Sequence, residues 1–355
     1  MNFYDKIKEQ GYYIIAEVGV NYYEIAEIYG ISLIEAAKKM MLEAKNAGAD
    51  GVKFQTYKAD KLAMKDSPGS WDKNDITVDT QYELFSLYDK FEASDYQELF
   101  NYSKEIGIDF MSTPFDEDSA DYLNEYLEVY KISSSDISNY PLIINIAKKN
   151  KPIIMSVGAA DLDEIETEIE LIKKYNDKKL TILHCVLEYP TPYEHANLLK
   201  IKALKEKYPD AIIGYSDHTK PDEHMDTIKA AYLLGAKVVE KHFTLDKTIK
   251  LKNDHFHSMD PDDLKKIKQG FDFINRLKGK GDIICLPSEV GTKESVRRSA
   301  VCKEKILKGE VLTYDKIIFK RPSKGLPPSE TDKLIGKIAK RDILVDELII
   351  ANDFE

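Results

Sequence analysis

Two lysines, two histidines and a glutamate stand at the ends of short apolar runs, and these residue types together suit anion and metal chemistry. Lys53 lies in Val52-Lys53-Phe54-Gln55 and Lys131 in Tyr130-Lys131-Ile132, each between apolar neighbours. In a strand, that alternation turns the lysine to one face and its neighbours to the other. A buried ammonium is costly unless an anion or an internal carboxylate meets it. Several Ser and Thr hydroxyls stand at similar run ends, in Ser112-Thr113, Ser133-Ser134-Ser135, Ser156 and Ser216, and could complete a phosphate or carboxylate cradle. The competing account is an ion pair with Glu17 or Glu240; a Schiff-base lysine is a third, less suited to ammoniums set among hydroxyls. His218 and His242 close two successive runs, and Glu17 closes the run that would adjoin them. Two imidazoles and a carboxylate can hold a divalent metal with open positions, which polarises a carbonyl or activates water. Two hydrogen-bonded core histidines are the alternative. His255-Phe256-His257 has the spacing of a metal-binding His-x-His pair, but it falls in the loop 252–261. A solvated or substrate-facing loop is expected there. His184, inside an apolar run, reads as a core residue.

The elements that must position these groups repeat one pattern. Eight β-branched runs (Tyr12–Val18, Gly51–Gln55, Ile108–Thr113, Val129–Ser133, Pro152–Val157, Leu180–Val186, Ala211–Asp217 and Lys237–Thr244) alternate with stretches of helical periodicity. Ile34–Ala47 is one such helix, stopped by Gly48; Pro141–Lys149 and Asp222–Leu234 are others. Apolar runs without full alternation suit parallel strands covered on both faces. Eight strand–helix units in about 250 residues predict an α/β fold, a (β/α)8 TIM barrel, whose active site lies at the C-terminal ends of its strands. The polar run ends then form a ring. One long insertion, Tyr57–Glu92, carries the only tryptophan, Trp71, and reads as a loop over the barrel mouth.

The chain has 355 residues, 43% of them apolar, enough for a large domain and a small one. With 62 acidic against 51 basic residues the net charge is −11, which argues against nucleic-acid binding. No apolar stretch suits a membrane span, and the charged N-terminus does not suit a signal peptide. Cys185, Cys285 and Cys302 have no metal or redox spacing, and an odd count fits a reducing cytoplasm. Residues 1–281 hold 37 basic and 49 acidic residues, a net of −12, whereas 282–355 hold 14 and 13, a net of +1. We place the barrel at 1–281, a linker at 282–294 and a second domain at 295–355. In that tail Lys305-Ile306-Leu307-Lys308-Gly309-Glu310-Val311-Leu312 matches Lys337-Ile338-Ala339-Lys340-Arg341-Asp342-Ile343-Leu344 at an offset of 32. A repeated strand–turn unit predicts a small, compact, mostly β module.

The motifs, taken in order, resemble those of the sialic acid synthase family. They are Ala16-Glu17-Val18-Gly19-Val20-Asn21, Val52-Lys53-Phe54-Gln55-Thr56, Ser112-Thr113-Pro114-Phe115, Tyr130-Lys131-Ile132, Tyr189-Pro190-Thr191-Pro192-Tyr193, Ile213-Gly214-Tyr215-Ser216-Asp217-His218-Thr219 and Glu240-Lys241-His242-Phe243-Thr244. The tail, with Lys320-Arg321-Pro322, is similar to that family's antifreeze-like (SAF) domain. The resemblance implies condensation of phosphoenolpyruvate with the open-chain aldehyde of an N-acylated hexose, either N-acetylmannosamine or a diacetamido-trideoxyhexose. The product would be a nine-carbon 2-keto-3-deoxy acid of the sialic, legionaminic or pseudaminic type. It implies Lys53, Thr113, Lys131, Ser134, Ser156 and Ser216 as phosphoenolpyruvate ligands. His218 and His242 would hold a divalent metal, usually Mn2+, with Mg2+ or Co2+ as alternatives, and Glu17 would stand beside it. Gln55, Asp136, Tyr189 and Asp254 would meet the sugar. In a domain-swapped homodimer Arg321 would reach the partner's sugar. Asp136, Leu187 and Tyr22 depart from the family pattern, where a Glu, an Asn and a His are usual, and these changes bear mainly on the sugar. Two other functions remain open: a synthase acting on a phosphorylated sugar, and a non-catalytic sugar-binding protein.

Overall fold

The structure is a computed structural model that describes residues 2–69, 78–249 and 254–355; Trp71 lies outside the described residues, as do 250–253 of the loop that carries the His-x-His pair. Two compact units make up the chain, Met1–Lys278 and Gly279–Glu355.

The first unit is the expected eight-stranded barrel. Its strands are β1 (Tyr13–Gly19), β2 (Gly51–Thr56), β3 (Asp109–Pro114), β4 (Tyr130–Ile132), β5 (Ile153–Ser156), β6 (Thr181–Cys185), β7 (Ile212–Asp217) and β8 (Val238–His242). Parallel pairing runs in the order β3-β2-β1-β8-β7-β6-β5-β4, and β3 lies beside β4 to bring the sheet near closure. Alternation sorts every strand into two faces. Ile14, Ala16, Val18, Val52, Phe54, Tyr130, Ile132, Met155 and Val239 pack outward against the helices. Tyr13, Ile15, Met111, Val129, Ile154, Leu183 and Val238 fill the barrel's interior. The interior is apolar toward the strand starts and turns polar toward their ends, because the next inward positions are Glu17, Lys53, Thr113, Lys131, Ser156, Ser216 and Glu240.

Local sequence explains the covering elements. Helix Leu33–Ala47 begins with a capping box in which Ser32 and Glu35 satisfy each other's backbone N–H, and it ends at Gly48 with positive φ. Its Ala36, Ala37, Met40, Met41, Ala44 and Ala47 form the buried stripe. Helix Phe3–Gln10 is capped by Asn2 and sets Phe3 edge-on to Tyr13, with ring centroids 4.9 Å apart, so it plugs the strand-start end of the barrel. The insertion contributes helices Ala59–Leu62 and Gln81–Leu87. Its Tyr57 packs between Phe85 and Phe115, and Phe115 belongs to the barrel mouth.

The second unit has its own core of Ala300, Ile306, Leu312, Ile317, Ile343, Ile349 and Phe354. Its β character is carried by β9 (Ser299–Cys302), antiparallel to β10 (Ile317–Lys320), and by isolated antiparallel bridges. Ile306 bridges Ile343 and Val311 bridges Ile338. An offset of 32 exchanges these two bridges, so the sequence repeat is a local pseudo-twofold in space. The division at Lys278 falls three residues before the composition boundary. Residues 282–294, expected as linker, contain the 3-10 turn Pro287–Glu289 and much of helix Val290–Val296.

Candidate active site

The polar strand ends converge on a cavity of about 390 Å3, partly open to solvent. Register places the groups before any side chain is considered: Glu17 sits opposite both Lys53 and His242, and Ser216 opposite Glu240. Lys53 Nζ lies 2.5 Å from Glu17 Oε2 and 3.7 Å from Glu240 Oε2, and it donates to Thr113 Oγ1 at 2.9 Å. Lys131 Nζ donates to Ser156 Oγ at 2.7 Å and lies 3.5 Å from Glu240 Oε1. Ser216 donates to Glu240 at 3.0 Å, and Gln55 Nε2 donates to Glu17 Oε1 at 3.2 Å. Two buried ammoniums therefore face two buried carboxylates. The ion-pair account and the anion-cradle account describe the same residues: without an anion, the carboxylates satisfy the lysines.

These charges set one another's protonation. Burial pushes the Glu17 carboxyl up, more than the Lys53 ammonium pulls it down. Burial acts on Glu240 in the same sense, but Lys131 and Lys53 together outweigh it and hold Glu240 low. Glu17 is thus the carboxyl of the pair that more readily carries a proton. Burial also lowers Lys131, while Lys53 is raised because Glu17 and Glu240 overcome its burial.

The histidines close the two strands that carry Ser216 and Glu240. His218 follows β7 and His242 ends β8, with ring centroids 5.7 Å apart. His218 Nδ1 lies 2.7 Å from the Val186 carbonyl, which can only accept, so Nδ1 carries the proton and Nε2 is left for another partner. Behind the two rings, Lys241 Nζ donates to Asp217 Oδ2 and to the Thr219 carbonyl, both at 2.6 Å. That pair ties the ends of β7 and β8 together. His242 Nδ1 has no hydrogen-bond partner among the described residues and lies 3.5 Å from Asp254 Oδ2. Burial holds His242 well below its ordinary value, so it is a neutral imidazole, the form that ligates metal. A buried neutral ring with an unsatisfied nitrogen, next to a second ring with a free Nε2, fits a divalent first-row metal.

The other expected residues fall out as follows. Ser134 accepts from the Gly158 N–H at 2.9 Å and lines the cavity. Tyr189 lies over His218 with ring centroids 4.1 Å apart. Asp136 accepts from Asn139 at 3.1 Å and is not among the residues lining the cavity. Arg321 is exposed in the second unit, just after β10. Leu187 lines the cavity, whereas Tyr22 is buried outside it, stacked on Phe91 at 4.5 Å. His184 packs on Tyr215 and bonds the Ala196 carbonyl at 2.7 Å, as a core residue would.

Of the two expectations for the His-x-His loop, solvated or substrate-facing, the solvated one fails, for His255 and His257 are both fully buried. Asn21 holds the loop down: its side chain donates to the Phe243 carbonyl and to Ser258 Oγ, and accepts from the Asp254 N–H. Sequence reasoning offered Glu240 only as an ion-pair partner of the lysines, and it passed over Cys185 as a cavity group. The signal was present in the alternation Val238-x-Glu240-x-His242 and Leu183-x-Cys185.

Comparison with known proteins identifies the family. The family model described as "NeuB family" matches residues 40–282, and the SAF domain model matches 297–355. The chain is 37% identical over 341 residues to N,N'-diacetyllegionaminic acid synthase of Campylobacter jejuni, covering 95% of this chain and 98% of that one. It is 32% identical to human N-acetylneuraminate-9-phosphate synthase, covering 95% and 92%. A crystal structure of a putative spore coat polysaccharide biosynthesis protein E from Chromobacterium violaceum superposes with a TM-score of 0.77 at 28% identity, covering 96% and 99%. The chain belongs to the NeuB family of phosphoenolpyruvate-dependent, C–C bond-forming transferases.

Proposed function

We propose that this cavity joins phosphoenolpyruvate to the open-chain aldehyde of an unphosphorylated, N-acylated hexose. The enol C3 attacks the aldehyde carbon, water adds at C2, and the C2–O bond breaks. Inorganic phosphate leaves with that oxygen, and the product is a nine-carbon 2-keto-3-deoxy acid. The observation that carries the proposal is the pair of buried lysines, each held between a hydroxyl and a glutamate at one end of the barrel. Phosphoenolpyruvate brings one carboxylate and one phosphate, which Lys53, Lys131, Thr113, Ser134, Ser156 and Ser216 can take up. Adding an anion to a balanced cluster favours a proton on Glu17, the carboxyl that burial already raises. Glu17 can then give that proton to the aldehyde oxygen as it becomes an alkoxide, while Gln55 holds the carboxyl in place. His218 and His242 would hold a divalent metal, whose chemistry is to polarise the aldehyde oxygen.

The acceptor follows from what surrounds the mouth. Among the described residues, Lys53 and Lys131 are the lysines lining the cavity, and both are committed deep within it. A sugar phosphate would need further cations at the rim. Leu187 makes part of the wall apolar, which suits a deoxygenated sugar. The Campylobacter relative is named for N,N'-diacetyllegionaminic acid, the human one for a 9-phosphate. We therefore favour a diacetamido-trideoxyhexose over N-acetylmannosamine. Gln55, Tyr189 and Asp254 are assigned to that sugar, and Arg321 to the partner's sugar in a domain-swapped homodimer. Phosphate release from phosphoenolpyruvate tests the proposal, with acceptors comprising the diacetamido-trideoxyhexoses, N-acetylmannosamine, its 6-phosphate and arabinose 5-phosphate, each with and without EDTA. EDTA-sensitive release with a diacetamido sugar is expected. Release with a sugar phosphate alone would overturn the acceptor assignment, and none with any acceptor would overturn the reaction.

A further inference from the structure

The two histidines of His255-Phe256-His257 have opposite fates. His255 is tied off: Nδ1 meets Thr244 Oγ1 at 2.6 Å and Nε2 meets Glu24 Oε2 at 3.3 Å. His257 is as deeply buried, yet neither ring nitrogen has a hydrogen-bond partner among the described residues. A buried polar atom left unmatched keeps its full desolvation cost, so a missing partner is implied. Its Nε2 points at Asp254, 3.5 Å from Oδ1, and the other oxygen of that carboxylate lies 3.5 Å from His242 Nδ1. One ligand atom from each of His242, Asp254 and His257 lies within 4.8 Å of the others. The His257 ring centroid is 5.2 Å from that of His242 and 6.4 Å from that of His218. With metal–nitrogen bonds of about 2.1 Å, two imidazoles on one ion have centroids roughly 4.5–6.3 Å apart. The His242 pairing falls within that span, and the His218 pairing, at 6.4 Å, lies just beyond it.

We propose that His257 is a third imidazole ligand to the divalent metal of the active site, with Asp254 completing the set. This rests on the assignment of His218 and His242 to that metal under the proposed function. Two histidines with water and substrate oxygens suit Mn2+ or Mg2+, whereas three imidazoles with one carboxylate favour Co2+, Zn2+ or Fe2+. The loop that closes the eighth strand thus sets the choice of metal. It also draws Asp254 toward the ion and away from a purely sugar-binding role.

Metal titrations by calorimetry on EDTA-stripped full-length protein test this with Zn2+, Co2+ and Mn2+, alongside the visible absorption spectrum of the Co2+ form. His257→Ala is expected to weaken Zn2+ and Co2+ at least tenfold and Mn2+ much less, and to change the Co2+ bands. His257→Phe, which keeps a ring in the buried space, should do the same if it folds as wild type by circular dichroism. Unchanged Co2+ bands and affinities in a folded His257 variant, with binding still lost in His218→Ala, would overturn the third ligand and leave the two-histidine site standing. Binding that survives both His218→Ala and His242→Ala would instead remove the metal assignment on which the proposal rests.

Discussion

Lys241 Nζ lies 2.6 Å from Asp217 Oδ2, and each of these residues stands one position before a cavity histidine, His242 and His218. Both side chains are buried on the outer face of the barrel wall, where alternation sends them while their neighbours turn inward. The pair is fully matched: Lys241 also donates to the Thr219 carbonyl, and Asp217 Oδ1 accepts from Tyr215 OH and Thr219 N–H. Burial alone would raise the Asp217 carboxyl, but Lys241 outweighs it and holds the group ionised below its ordinary value. Removing one partner strands a buried charge, so Lys241→Met or Asp217→Asn should cost about 3–5 kcal/mol. The double variant Lys241→Met/Asp217→Leu should lose less than either single one. Urea unfolding measures the first effect; metal affinity, reduced about 10–100-fold in the folded variants, measures the second. Additive losses across the cycle would mean that the pair does not act as a unit.

Lys53 and Lys131 differ in how they are held, and their variants should differ too. Lys53 lies against Glu17 at 2.5 Å, whereas Lys131 donates to Ser156 and lies 3.5 Å from Glu240. Lys53→Met should lower both stability and turnover, because Glu17 loses its cation. Truncating one member of a buried charged pair costs roughly 2–5 kcal/mol, about 30-fold or more in kcat/KM. Thr113→Val removes only a hydroxyl and should raise the KM for phosphoenolpyruvate about tenfold with the fold intact. An unchanged KM in Thr113→Val would take phosphoenolpyruvate away from this side of the cavity.

Much of this arrangement was legible in the sequence because strand alternation is local. A lysine between apolar residues, repeated at two run ends among hydroxyls, already implied an inward ammonium and a cradle. Glu240 was legible as one of two candidate ion-pair partners; that it serves both lysines at once requires β2, β4 and β8 to face one another across the barrel. The burial of His257 was hidden for a related reason. A loop with two histidines, a serine and an aspartate looks solvated, and its burial depends on Asn21, more than 230 positions away. The helix Val290–Val296 was hidden by a glycine, a threonine and a serine, which read as linker. Asp136 was placed by resemblance alone, and its carboxylate turns to Asn139 three residues on.

Gly214 occupies an inward position of β7, where a side chain cannot be accommodated. A Cβ there would lie 2.3 Å from Leu183 Cδ2 and 2.3 Å from the Val238 carbonyl oxygen. The first contact can yield by a rotamer change; the second belongs to the backbone of the paired strand and cannot. Gly214→Ala should therefore destabilise the barrel by roughly 3 kcal/mol, the upper end for overpacking. Adding Leu183→Ala should bring no recovery, and urea unfolding of the three variants would show it. Recovery in the double variant would mean that the side-chain contact, not the backbone, sets the limit.

Glu168 supplies the pH dependence. It lies on the buried stripe of helix Leu162–Tyr175 with Ile165, Ile169 and Ile172, and among the described residues neither carboxyl oxygen has a hydrogen-bond partner. Burial, helped by the nearby charge of Asp136, pushes its carboxyl up to about 9 from an ordinary 4.5. Between those values the folded chain holds a proton that the unfolded chain has released. Stability from this group is thus fully present below about pH 4.5, declines through neutral pH by roughly 1.4 kcal/mol per unit, and levels off above about 9. Glu168→Gln keeps the shape and removes the titration. The difference in unfolding free energy between variant and wild type should therefore grow in the variant's favour from pH 5 to pH 8. Urea unfolding at half-unit steps measures that difference and cancels other titrating groups. A difference that stays constant over this range would mean that Glu168 is already ionised in the folded barrel, with a cation or water reaching it inside the helix layer.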